Sequence, residues 1–222
     1  MCDSQRSEYS WIPEYLQTFW RSRLNACLPR PGSPRVGRMK RIFPLLSLIL
    51  FATISSARAI PAQILIIRHA EKPSQGIGLS PRGWQRANAL PKFLIGNPDF
   101  ETPNVLFAMA QKNSTGSIRA ILTVTPLSTR LSLPLTLGYT REEYPAAAAD
   151  ILENPAFNGK VVLICWEHHV IPDFAGRLGV KEAPTDWEDP VYDRIWVIDY
   201  AKGQVSRFRN LPQRLLAGDS PQ

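Results

Sequence analysis

The chain has 222 residues and a formal net charge of +7, with 26 basic and 19 acidic side chains. This excess does not indicate a nucleic-acid-binding body, because residues 1–59 hold nine basic and three acidic side chains, or +6 of the total. Residues 60–222 contain one cysteine, which excludes an intramolecular disulfide framework there. We interpret that residue, Cys165, as a buried apolar side chain rather than a nucleophile.

The segment that ends at residue 59 has the pattern of a secretory signal peptide. A basic start at 39–41 is followed by the apolar stretch Ile42–Ile54 and by small residues at Ala57 and Ala59. Thirteen apolar residues are fewer than the roughly 20 that a membrane span needs. We therefore predict a signal peptide over 39–59, cleaved after Ala59, and a secreted or periplasmic protein. The alternative is an uncleaved segment that anchors the protein in a membrane.

Two further predictions concern residues 1–38, before the predicted signal peptide, and residues 60–222, after it. Because a signal peptide begins at the N-terminus, Met39 is the expected start, and residues 1–38 are then an over-extension of the reading frame. The alternative is a real extension with one apolar helical face, formed by Trp11, Ile12, Tyr15, Leu16, Phe19 and Trp20. Residues 60–222 are long enough for one domain with a sizeable core.

The body of the chain alternates predicted strands and helices. In chain order, we predict a strand at 64–67, a helix at 81–95, a strand at 104–108, a helix from 118, a strand at 133–137, a helix at 141–153, a strand at 160–166, a helix at 171–178 and a hairpin at 193–200 and 204–208. Ser80 and Pro81 favour the start of the first helix, whereas Pro91 and Pro126 favour kinks. This alternation predicts a three-layer α/β/α sandwich with a mostly parallel sheet.

The two most apolar strands run directly into charged residues. Ile64–Ile67 is followed by Arg68 and His69, and the strand at 160–166 is followed by Glu167 and His168. The carboxyl ends of parallel strands meet at one edge of a sheet, where such folds bind ligands. We therefore expect the two histidines to lie about two strand spacings apart, roughly 5–10 Å, in one site.

These residue types suit phosphoryl transfer. Guanidinium groups bind phosphate bidentately and stay charged. A histidine held beside them can attack phosphorus, and a second histidine can stabilise the transferring oxygens. A carboxylate can protonate the leaving oxygen and then activate water, so that this chemistry needs no metal.

The segment 66–72, Ile-Ile-Arg-His-Ala-Glu-Lys, resembles the Arg-His signature of the histidine phosphatase superfamily, also called phosphoglycerate mutase-like. The segments 79–90, 117–127 and 161–172 are similar to later motifs of that family, in the same order. The resemblance covers residues 62–215 and implies a phosphoglycerate mutase-like fold. It also implies that His69 becomes phosphorylated.

The resemblance implies a phosphate clamp and leaves the general acid open. Arg68, Arg119 and His168 take the phosphate-binding roles. Arg130 is an alternative to Arg119, because Thr-Pro-Leu at 125–127 resembles a motif that precedes an arginine. The alternative to His168 is its neighbour, His169. The candidate acids are Glu71, Glu142, Glu143 and Glu167, of which Glu71 and Glu167 lie closest to the two histidines in sequence.

The function so implied is that of a secreted phosphomonoester hydrolase that uses a phosphohistidine intermediate and neither metal nor cofactor. Its expected partner is a small phosphorylated substrate or a phosphoprotein, without nucleic acid and without stable membrane insertion of the mature chain. Three alternatives stay open. They are a non-catalytic phosphate-binding module of the same fold, a mutase, and a metal-dependent hydrolase that uses His169 and Asp173.

Overall fold

The computed structural model describes residues 60–219. The predicted signal peptide at 39–59, its cleavage after Ala59 and the extension 1–38 lie outside the described residues, so they stay predictions. Within the described part of the chain, no helix is both long enough and apolar enough to cross a membrane.

The described residues form six strands and four α-helices. They are β1 Gln63–Arg68, α1 Pro81–Leu94, β2 Val105–Ala108, α2 Arg119–Leu131, β3 Leu135–Thr136, α3 Tyr144–Glu153, β4 Val161–Trp166, α4 Ile171–Arg177, β5 Arg194–Ala201 and β6 Gln204–Pro212. Short 3₁₀ turns cover Arg141–Glu143, Pro155–Phe157 and His168–Val170.

The strands form one mixed sheet in the order β3-β2-β4-β1-β5-β6. The first four of these strands are parallel, whereas β5 is antiparallel to β1 and β6 is antiparallel to β5. Helix α1 packs against α2, and α3 packs against α4. The predicted α/β sandwich, with a mostly parallel sheet and a C-terminal hairpin, is confirmed.

The strands that lead into the histidines form the centre of the sheet. Every residue of β1 and β4 is buried, as expected for strands whose sequences are apolar without alternation. They are direct neighbours, with Arg68 opposite Trp166. The prediction that two strand spacings separate the histidines was therefore wrong, because β1 and β4 are adjacent and only one spacing lies between them. Cys165 is buried in β4, and this burial raises the pKa of its thiol, as suits an apolar core residue.

Several element boundaries differ from the prediction for local reasons. Ser80 caps α1 as predicted, since its hydroxyl accepts a hydrogen bond from the amide of Gly83. Pro91 and Pro126 lie inside α1 and α2 and end neither helix. The predicted helix 141–153 begins as a 3₁₀ turn with a capping box before α3 starts. Strand β6 continues to Pro212, which pairs with Arg194.

Candidate active site

The backbone after β1 is fixed by hydrogen bonds from two directions. The amide of His69 donates to the carbonyl of Trp166 at 3.0 Å, which extends the pairing of β1 with β4. The amide of Ala70 donates to Oγ1 of Thr123 at 2.8 Å, and that hydroxyl donates to the carbonyl of Arg119 at 2.7 Å. Thr123 thus ties the first turn of α2 to the histidine.

Helix α1 begins against the same segment. The amide of Ser80 donates to the carbonyl of Glu71 at 2.9 Å. A Cβ atom at Gly83 would lie 2.5 Å from that carbonyl oxygen, which is far inside van der Waals contact. Glycine is therefore required at position 83 for the helix to approach the histidine segment so closely.

Arg68 is fully buried and orders the loop that covers it. Its Nη1 donates to the carbonyls of Glu188, Asp189 and Val191 at 3.2, 2.6 and 2.9 Å. The ring of Tyr192 lies over the guanidinium, with its centroid 3.9 Å from Cζ. Nε and Nη2 of Arg68 are buried without a hydrogen-bond partner among the described residues. These two nitrogens form the edge that a guanidinium uses to bind an anion bidentately.

His69 is buried and has one free ring nitrogen. Its Nδ1 lies 2.8 Å from the carbonyl oxygen of Ala70, and because a carbonyl only accepts, Nδ1 carries the proton. Nε2 is then an unprotonated nitrogen, and no protein partner is found for it within residues 60–219. Burial lowers the pKa of His69 to about 4, and the charges of Arg68 and Arg119 also lower it. The imidazole is therefore neutral at pH 7 and has a lone pair available for attack.

His168 lies between two carboxylates. Its Nε2 is 2.6 Å from Oδ1 of Asp189, whereas its Nδ1 is 2.8 Å from Oε1 of Glu167 but is not aligned for a hydrogen bond. Burial and the charge of Arg68 lower the pKa of His168. Because the neutral ring donates to Asp189, it carries its proton on Nε2. This N–H is a hydrogen-bond donor on the side of the ring that faces Asp189 and Arg68.

Of the two arginines that the sequence offered, Arg119 is the one whose charge helps to lower the pKa of His69. It occupies the first turn of α2, where Nε donates to the carbonyl of Gly78 at 3.0 Å and Nη2 to that of Gly76 at 2.6 Å. Arg130 is exposed in the last turn of the same helix. Eleven residues of helix separate the two, or about 16 Å along the axis.

The predicted acids are held in different ways. Glu71 accepts from Arg86 at 2.7 Å and from Arg82 at 3.2 Å, and Arg86 also pairs with Asp219 at 2.7 Å. Its carboxylate is thus part of an ion-pair network. Oε2 of Glu167 accepts from Nε of Arg141 at 3.0 Å. Of the remaining candidates, Glu142 pairs with Arg141 and Glu143 caps the 3₁₀ turn that follows Thr140.

A fifth carboxylate, Asp189, was not among the residues predicted from the sequence. Its side chain is 66% exposed, and its Oδ1 lies 3.8 Å from Nη2 of Arg68 as well as against His168. The hydrogen bond from His168 lowers the pKa of Asp189. Asp189 lies in the loop 181–192, whose mixed composition gives no signal for a catalytic residue.

No protein-family model and no curated protein sequence match this chain. A mycobacterial glucosyl-3-phosphoglycerate phosphatase of known structure is 13% identical, covering 68% of this chain and 97% of its own at a TM-score of 0.46. A phosphoglycerate mutase from Plasmodium falciparum is 16% identical, covering 68% of this chain and 90% of its own, also at 0.46. A phosphoserine phosphatase from Entamoeba histolytica is 14% identical, covering 71% and 100%, at 0.38. At these identities and TM-scores, the likenesses to these three proteins are distant ones.

Proposed function

We propose that the protein is a phosphomonoester hydrolase that transfers the phosphoryl group to Nε2 of His69. The observation that carries this proposal is a neutral, buried histidine with a free Nε2, directly after an arginine whose Nε and Nη2 are buried without hydrogen-bond partners among the described residues. A buried guanidinium edge without a partner is costly unless an anion binds there. A phosphate held at that edge lies next to the histidine that can attack it.

The reaction proceeds in two displacements. In the first, Nε2 of His69 attacks phosphorus, the bond to the ester oxygen breaks, and that oxygen takes a proton as the alcohol leaves. In the second, water attacks the phosphohistidine and gives a proton to the carboxylate that protonated the leaving oxygen, the P–N bond breaks and inorganic phosphate leaves. Arg68, Arg119 and Nε2–H of His168 supply positive charge and hydrogen bonds to the phosphoryl oxygens in both steps.

We further propose Asp189 as the residue that protonates the leaving oxygen. Glu71 and Glu167 are both held by arginines, whereas Asp189 is the exposed carboxylate against Arg68 and His168. Its pKa is lowered while His168 donates to it. A phosphate bound in the clamp takes over that donor and adds negative charge nearby, and both changes raise the pKa of Asp189. The acid is therefore protonated most readily when substrate is bound.

We expect the purified protein to hydrolyse an aryl phosphate in the presence of a metal chelator and to be inhibited by vanadate, a mimic of the pentacoordinate transition state. Steady-state assays with and without chelator check this. Loss of activity on chelation that zinc restores would instead support the metal-dependent hydrolase. Phosphate binding by calorimetry, without hydrolysis of any phosphoester tested, would support the non-catalytic module.

Asp189→Asn is expected to lower kcat for an alkyl phosphate by about 10²–10³-fold, because the poor leaving group needs a proton. The same variant should lower kcat for an aryl phosphate by less than about tenfold, since a phenolate leaves more easily unprotonated. Glu188→Gln is the matched control, because this exposed neighbour offers only its backbone carbonyl to Arg68. Equal losses on both substrates would contradict the assignment of Asp189 as the acid.

The protein's location stays part of the proposal. A cleavage after Ala59 would release a body of residues 60–222 that meets its phosphorylated substrate, a small molecule or a phosphoprotein, outside the cytoplasm. N-terminal sequencing of the protein recovered from the medium or periplasm tests this prediction, and an intact N-terminus on a membrane fraction would favour the anchored alternative.

A further inference from the structure

Three consecutive side chains after β4 lie close together, and the imidazole rings of His168 and His169 are stacked with their centroids 3.9 Å apart. Glu167, His168 and His169 each offer one ligand atom, and these atoms all lie within 4.8 Å of one another. Oε1 of Glu167 is 2.8 Å from Nδ1 of His168 and 3.8 Å from Nε2 of His169. Asp173, which the sequence pairs with His169 at helical spacing, is not part of this cluster.

One buried atom of the cluster lacks the hydrogen bond that buried polar atoms normally make. The side chain of His168 is only 4% exposed, and its buried Nδ1 has no hydrogen-bond partner in the described part of the chain. Oε1 of Glu167 is similarly free of hydrogen bonds there, because Arg141 and the amide of His169 both donate to Oε2. The buried Nδ1 of His168 calls for a partner, and its lone pair, with that of the neighbouring Oε1, suits a partner that accepts electron pairs.

The contact that His168 makes through its other ring nitrogen, Nε2, prepares the ring to act as a metal ligand through Nδ1. Its Nε2 lies 2.6 Å from Oδ1 of Asp189, so the proton is held on Nε2 and the lone pair on Nδ1. Histidines that bind metals usually donate their other ring N–H to a carboxylate or carbonyl in this way. The contact to Asp189 therefore fixes the tautomer in which Nδ1 can coordinate.

Two of the three ligand-atom distances and the donor types fit a zinc-sized ion, which both imidazoles can bind once the exposed ring of His169 turns away from its stack on His168. Ligand atoms about 2.0–2.1 Å from a tetrahedral zinc lie roughly 3.4 Å from one another, and the distances of 2.8 and 3.8 Å from Oε1 bracket this value. Two imidazole nitrogens and a carboxylate oxygen are ligands that zinc accepts. The ring of His169 is 56% exposed, which gives an ion a path from solvent.

We propose that Glu167, His168 and His169 bind a divalent transition-metal ion of the zinc type. Three protein ligands leave the fourth position to water. The ion is coordinated by Nδ1 of His168, and the proton stays on Nε2. His168 therefore still offers its Nε2–H as a hydrogen-bond donor towards Asp189 and Arg68. This site requires no assumption about the reaction at His69, and the proposed phosphoryl transfer does not require the ion.

The test is a zinc titration of the full chain without a histidine tag, in competition with a chromophoric chelator. Cys2 and Cys27 are replaced by serine in every sample, so that thiolates outside the described residues take no zinc. We expect one zinc per chain. His169→Ala should weaken zinc binding by at least about 10- to 100-fold. Removing a residue that only hydrogen-bonds to a metal ligand already has an effect of that size, and His169 is proposed as a ligand itself.

Asp173→Ala is the matched control, because this residue is exposed four positions after His169 and lies outside the cluster. It should bind zinc as the parent chain does. Thermal unfolding of each variant without metal shows whether it is folded, and cobalt absorption in place of zinc gives a second readout of the same ligands. Equal zinc affinity of the parent chain and His169→Ala, or no saturable binding in the parent chain, would overturn the proposal.

Discussion

His69→Ala is expected to lower kcat for an aryl phosphate by about 10⁴-fold or more, as removal of a covalent nucleophile does in other enzymes. The reason lies in the ring itself. Nδ1 is bonded to the carbonyl of Ala70, and burial lowers the pKa of the imidazole to about 4, so that Nε2 is unprotonated at neutral pH. His168 also has an unprotonated nitrogen, but this is Nδ1 beside Glu167, whereas its Nε2 on the Arg68 side carries the proton. The guanidinium groups of the clamp offer no lone pair for attack.

Two further measurements separate loss of the nucleophile from loss of the site. Phosphate binding by calorimetry should fall by less than about tenfold in His69→Ala, because the charged groups of the clamp remain. Rapid quenching with a labelled substrate should trap an acid-labile phosphoryl group on the parent protein and none on the variant. Unchanged turnover in His69→Ala would refute the proposed phosphohistidine.

Arg68→Ala is expected to abolish phosphate binding and to lower kcat/KM by at least about 10³-fold, since the bidentate edge is lost. It should also lower the free energy of unfolding by about 2–4 kcal/mol, because the carbonyls of Glu188, Asp189 and Val191 lose their shared charged donor. Calorimetry with inorganic phosphate and urea unfolding measure the two effects separately.

A matched arginine provides the control for that variant. Arg130→Ala removes the same charge from an exposed position in the last turn of α2. It should change the unfolding free energy by less than about 0.5 kcal/mol and leave phosphate affinity unchanged. Arg68→Lys, which keeps the charge but not the planar fork, should recover only part of the affinity. Full phosphate binding by Arg68→Ala would contradict the clamp.

The features that follow from local pattern could be predicted from the sequence. The apolar runs in β1 and β4 identify central strands, and Ser80 with Pro81 marks the start of α1. The placement of both histidines at one edge follows from strand direction alone. Arg119 could be preferred to Arg130 because Thr123 and Leu127 follow it at the spacing of the motif that the segment resembles.

The contacts made across long stretches of chain could not be predicted in this way. Asp189 and Tyr192 reach Arg68 only through the path of a loop more than 100 residues later. Glu71 looked available as an acid because its neighbours in sequence do not reveal Arg86, which pairs with Glu71 in the fold and also with Asp219. One sequence cannot show such pairings, since neither periodicity nor turn chemistry encodes which distant side chains meet.

The position of β1 in the sheet has a consequence for the order in which the protein assembles. Both hydrogen-bonding neighbours of this strand come from late in the chain, since Gln63 pairs with Val161, 98 residues on, and with Asp199, 136 residues on. Sheets built from such non-local pairs fold slowly. During synthesis the strand that carries the nucleophile therefore waits, unpaired, until nearly the whole polypeptide has emerged. A chain interrupted before β4 would leave an apolar strand without either partner and prone to aggregate.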